Sequence, residues 1–192
     1  MSKMNELTPF KSLNVEVLEP VSNKKELRKY LDKENIVAKL NDLSPGKDKM
    51  FLITLWMTGL RVTEIISLRK RDLDFNNHIM TIRYLKSRKF FERIVPFKKE
   101  LGDMLQIYTL NMKADDRLFP MQRARAWKIT KKLLGISPHQ LRHSFAVHYL
   151  RQGGRIEDLK RLLGHSNVVT TFEYLKIVPS DLAKELEKVN FG

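Results

Sequence analysis

The stretch RDLDFNNHIMTIRYLKSRKFFERIVPF, residues 71–97, is where the chain changes period. RDLDFNNHIMTIRYL alternates apolar and polar residues and breaks at Asn76-Asn77, which predicts two short strands around a turn. FERIVPF, 91–97, predicts a third strand, and the intervening KSRK, 86–89, a basic hairpin tip. On both sides of this block the apolar residues recur at helical spacing. Upstream, Ser22 or Asn23 caps a helix running to about Leu40, LSPGK (43–47) breaks the chain, and an apolar helix from about Asp48 to Thr58 stops at Gly59. A shorter helix follows from about Val62 to Leu68. Downstream, helices are predicted over about 98–113, 123–134, 138–152, 155–163, 167–175 and 180–189, with Gly153-Gly154 and Gly164 as stops. The fold class is therefore α+β: a mostly α-helical domain with one small three-stranded antiparallel sheet. Residues 1–21 have no period and carry Pro9 and Pro20; they read as an arm.

Composition narrows the class of partner. Lys plus Arg number 36 against 22 Asp plus Glu, a net charge of +14. That excess suits a polyanion, because neutralising phosphates releases counterions; a basic surface with no such partner has the same composition. Cysteine is absent, which removes disulfide frameworks, thiolate nucleophiles and Cys-rich zinc sites. No apolar run approaches the ~18 residues a membrane span needs, and MSKMNELTPF has no apolar core of a secretory signal. No membrane partner is expected, and a cytoplasmic location is the default.

Three clusters carry chemistry. HQLRHSF places His139, Arg142 and His143 at i, i+3 and i+4, on one helical face. Two imidazoles beside a guanidinium call for an anion, and phosphate is the obvious one; a wet helix face with one histidine packed inward fits the spacing equally well. TGLRVTEIISLR places Arg61 after the Gly59 turn, with Glu64 at i+3 to orient its guanidinium. A surface ion pair worth ~0–1 kcal/mol has the same signature. LLGHSNVVTTFEYL puts His165 after the Gly164 stop and Tyr174 nine residues on, where a core aromatic is the ordinary reading.

Taken together, in order and in spacing, these clusters resemble the tyrosine recombinase (phage integrase, Xer-like) family. Its pattern is an arginine in a T-G-[LM]-R-x-x-E box, a lysine on a β-hairpin before R-x-V-P, then H-x-L-R-H, L-G-H, and a tyrosine nine residues further on. Here these are Arg61 in TGLRVTE, Lys86 in LKSRK ahead of ERIVPF, His139 and Arg142 in HQLRH, His165 in LLGH, and Tyr174 in FEYL. The match runs from about residue 45 to 178. Lys89 competes with Lys86 for the lysine role, and Arg88 is a weaker competitor. Both are otherwise expected on DNA.

The resemblance implies the tyrosine recombinase catalytic fold over 22–178 and a site-specific recombinase or integrase acting on double-stranded DNA. In that reading Tyr174 attacks the scissile phosphate, forms a 3′-phosphotyrosine and releases a 5′-OH. A free tyrosine has a pKa of about 10, so His139 serves as its base. Arg61 and Arg142 bind the non-bridging oxygens, His165 donates to the same phosphate, and Lys86 protonates the leaving oxygen. Glu64 and His143 support these groups. The covalent link conserves the phosphodiester energy, so no cofactor, ATP or metal is expected. Glu64, Asp72 and Asp74 are too few for a two-metal nuclease, and Asp72 and Asp74 read as turn residues. His148 and Trp56 are expected in the packing, Trp127 likewise, and His78 in solvent beside its turn.

Family members ordinarily carry an N-terminal clamp of about a hundred residues, within ordinary domain size. Only about 45 residues precede the matching region here, so the chain reads as the catalytic half, either a minimal recombinase or a piece of a longer one. Residues 179–192 read as a tail helix, with Leu182, Leu186 and Val189 on one stripe. The resemblance implies that it docks on a neighbouring copy, closing a dimer or tetramer on DNA. Type IB topoisomerase-like relaxation and a silent DNA-binding regulator are the alternatives.

Overall fold

The computed structural model describes residues 31–86 and 89–164; at 84–86, 89 and 90 it describes the backbone alone. The arm 1–21, the proposed cap at Ser22 or Asn23, Arg88, His165, Tyr174 and the helices expected over 167–175 and 180–189 lie outside the described residues. Seven helices are described: α1 (Lys33–Asn41), α2 (Lys47–Thr58), α3 (Val62–Ser67), α4 (Lys99–Tyr108), α5 (Arg123–Leu134), α6 (Pro138–Arg151) and α7 (Ile156–Leu163). A 3-10 turn at Lys70–Asp72 leads into strands β1 (Leu73–Asp74), β2 (Ile79–Lys86) and β3 (Lys89–Pro96). The sheet is antiparallel in the order β1-β2-β3, so the α+β expectation holds.

The sheet forms because its alternation matches the pleat. Leu73, Met80, Ile82 and Val95 turn to the core and are buried. The turn after β1 is built by Asp74, whose carboxylate accepts from the backbone N–H of Asn76 and Asn77, both at 3.0 Å, and from the Asn77 side chain at 2.7 Å. The Asn77 hydrogen bonds hold the Asp74 carboxyl below its usual pKa. His78 closes the turn at φ 54° with its ring edge-on to Phe97, 5.9 Å away. It is half-buried rather than solvated. The third strand starts earlier than FERIVPF implied, because the ladder continues to a Lys86–Lys89 pair.

α2 is the central helix, with seven buried residues including Phe51, Leu52 and Leu55. α6 packs across it, and α7 packs on α6 through Ala146, Val147, Leu150, Leu159 and Leu163. Ser137 caps α6 in a reciprocal box with Gln140, Pro138 following as its first residue. The helix expected over 98–113 ends at Tyr108. Thr109 turns its hydroxyl back to the Leu105 carbonyl at 2.8 Å. The segment beyond pairs instead with the strand entry: Arg71 N–H donates to Ala114, Lys70 to Asp116, and Leu118 to Leu68. His148 lies against Trp56, ring centres 5.7 Å apart, and burial pushes its pKa down.

Candidate active site

Arg142 is 6% exposed. Its Nη1 donates to the Gly59 carbonyl at 2.7 Å and its Nη2 to the Leu163 carbonyl at 2.6 Å. These carbonyls sit at the C-terminal ends of α2 and α7. Helix ends carry unsatisfied acceptors and partial negative charge, so both attract a guanidinium. Gly59 makes the arrangement possible. It sits at φ 62°, and a Cβ there would lie 2.3 Å from the Phe145 ring of α6. Its lack of a side chain lets α6 press on the turn and brings Arg142 to the start of α3.

Arg61 stands at that start, its side chain 46% exposed. Its backbone N–H donates to Glu64 Oε2 at 2.8 Å, its Nη1 to Glu64 Oε1 at 3.2 Å, and its Nη2 to the Gly164 carbonyl at 3.4 Å. Glu64 is buried, so this is no surface ion pair: the carboxylate both caps α3 and aims Arg61. The structure therefore brings Arg61, Glu64 and Arg142 together around the end of α7. His139 is exposed on the first turn of α6 and His143 is half-buried one turn on, on the face that carries Arg142. The backbones of Lys86 and Lys89 face each other at the hairpin end.

Arg93, on β3, joins the cluster and was assigned no role from sequence. It is 13% exposed. Its Nη2 donates to Glu64 Oε1 at 2.9 Å and its Nη1 to the Leu162 carbonyl at 2.9 Å. Three successive carbonyls at the end of α7, those of Leu162, Leu163 and Gly164, thus receive Arg93, Arg142 and Arg61. The signal was present: in ERIVPF, Arg93 shares the inward parity of Val95, where a charge must find a partner.

Two carboxylates are accounted for structurally. Asp72 accepts from the Arg69 N–H at 2.8 Å and pairs with Arg83, and Asp74 builds the β1–β2 turn. A second cationic surface was also missed. The outer face of α5 exposes Arg123, Arg125, Lys128, Lys131 and Lys132, with no acidic residue in the helix. Trp127 lies on this face, 50% exposed, rather than in the packing.

Residues 29–180 match the phage integrase family. The chain is 35% identical over 186 residues to the tyrosine recombinase XerA of Saccharolobus solfataricus, covering 93% of this chain and 63% of that protein. Among solved structures it is similar to a XerA recombinase, with TM-score 0.68, 25% identity and coverage of 84% of this chain and 64% of that one. It is also similar to the catalytic domain of bacteriophage HP1 integrase, with TM-score 0.62, 27% identity and coverage of 83% and 94%. The chain thus spans somewhat less than two thirds of the first of these relatives and most of an isolated catalytic domain. With 29–180 of its 192 residues matched by the family model, the chain belongs to the phage integrase family.

Proposed function

We propose that the chain is the catalytic part of a site-specific DNA recombinase or integrase that cleaves and rejoins strands through a 3′-phosphotyrosine at Tyr174. The observation that carries this reading is the pair Arg61 and Arg142, held by carbonyls at the ends of α2 (Gly59) and α7 (Leu163 and Gly164). Two guanidiniums fixed in this way suit the two non-bridging oxygens of one phosphodiester, where charge grows in the transition state. In this reading His139 takes the tyrosine proton, His165 adds a hydrogen bond to the phosphate, and Lys86 protonates the leaving 5′-oxygen. Lys89 is the other hairpin lysine suited to that last role. Glu64 aims Arg61, and His143 shares the helical face of Arg142 as its supporting residue.

The partner is double-stranded DNA. The net charge of +14 supports it, as does the basic outer face of α5 with Trp127 among its cations. The protein works in the cytoplasm as a homo-oligomer assembled on its site. The test is a nicked suicide duplex incubated with the protein in chelator and without ATP. A denaturation-resistant protein–DNA adduct is expected from the wild-type chain and none from Tyr174→Phe; an adduct that survives this substitution overturns the reading. Joining of two duplexes, as against relaxation of one, separates recombination from topoisomerase-like action.

A further inference from the structure

Arg93 and Arg61 donate to the same oxygen, Glu64 Oε1, at 2.9 and 3.2 Å. Glu64 Oε2 is engaged by the Arg61 backbone N–H. One buried carboxylate therefore serves two guanidiniums, and the trio carries a net charge of +1. With Arg93 gone, the same carboxylate would face Arg61 alone, and the pair would be neutral. Burial makes the difference matter, because charges are poorly screened there.

Arg93 is also placed at some expense. Its Nε is buried and has no hydrogen-bond partner among the described residues. A Cβ at Gly164 would lie 2.6 Å from that nitrogen, so the α7 end closes over the guanidinium only because residue 164 is glycine. Leaving a buried N–H unsatisfied is unfavourable, and the contacts to Glu64 and Leu162 must offset it. A strand residue needed only for packing would be apolar.

We infer that Arg93 is a positioning residue for strand cleavage: by sharing Glu64 with Arg61, it leaves the Arg61 charge available to the scissile phosphate. The inference rests on the proposed function above. Arg93 itself touches Glu64 and the α7 carbonyl and acts on the phosphate only through them.

The test is single-turnover cleavage of the suicide duplex by the full chain, with DNA binding and thermal unfolding measured alongside. Arg93→Gln is expected to cleave about 10- to 100-fold more slowly than wild type, less than the ~10²–10³ lost with a direct phosphate contact. Adding Glu64→Gln, which keeps an acceptor for the Arg61 N–H, is expected to recover roughly tenfold, as non-additivity between contacting residues allows. Arg93→Lys, which keeps the charge if Arg93→Gln does not fold but loses the two-pronged hold on Glu64 and Leu162, is expected to cleave more slowly than wild type yet faster than Arg93→Gln. Arg93→Gln at wild-type rate overturns the inference. So does a double variant slower than Arg93→Gln, or Arg93→Lys as slow as Arg93→Gln; each makes Arg93 structural only. No adduct from the wild-type chain overturns the proposed function instead, and the inference falls with it.

Discussion

Arg142 of α6 donates to the carbonyl of Gly59, 83 residues earlier in the chain, at 2.7 Å. Its other terminal nitrogen holds Leu163. The bond ties the TGLR and HQLRH boxes to each other, so Arg142 is part of the fold as well as part of the proposed phosphate site.

Arg61 and Arg142 should therefore separate when mutated. Arg61→Ala, at a half-exposed side chain, is expected to slow cleavage ~10²–10³-fold with little change in thermal stability. Arg142→Ala is expected to slow cleavage as much and also to destabilise by about 1.5–3 kcal/mol per lost charged hydrogen bond. Single-turnover cleavage paired with urea unfolding checks both.

Gly59→Ala combines a left-handed backbone with a Cβ driven into the Phe145 ring. A loss of about 1–3 kcal/mol is expected from the overpacking alone, read from the urea midpoint at unchanged slope. The folded fraction should also lose cleavage, because Gly59 fixes both the Arg142 anchor and the approach to Arg61.

His148 supplies a pH dependence of stability. Its pKa is lowered from the usual 6.5, first by burial and then by the positive Lys33 nearby. The unfolded chain therefore takes up this proton at higher pH than the folded one. The His148 contribution is fully present above pH 6.5 and is lost as pH falls from there through the folded value. Imidazole titration followed by NMR should place the His148 midpoint below 6.5, and His148→Gln should flatten the stability profile in that window.

The outer face of α5 should set the salt dependence of DNA binding. Lys128→Gln and Lys132→Gln are each expected to reduce the log–log salt slope by about 0.9 if each meets one phosphate, with no change in thermal stability. Trp127→Ala should weaken binding at every salt concentration and leave the slope alone. Fluorescence anisotropy over a salt series distinguishes the two behaviours.

Much of this was legible in the sequence because it depends on local rules. The change of period at 71–97 located the sheet, Gly59 and Gly164 marked helix ends, and the R-x-x-E spacing paired Arg61 with Glu64. What escaped depends on long-range contacts. Arg93 meets Glu64 only when β3 lies beside α3, 29 residues apart in sequence. The early end of α4 follows from pairing of 114–118 with 68–71, which no helical period reports. Trp127 read as core because large aromatics are mostly buried on average, whereas the buried side of α5 is already filled by Ala126, Ile129, Thr130 and Leu134.

The most direct measurement is the chemical identity of the protein–DNA link. A suicide duplex is cleaved in chelator, the adduct is digested, and the nucleotide-bearing peptide is sequenced by mass spectrometry. The expected product is a 3′-phosphate ester on Tyr174 with a free 5′-OH on the released strand. A link through any other residue, or through the 5′ end, would contradict the account.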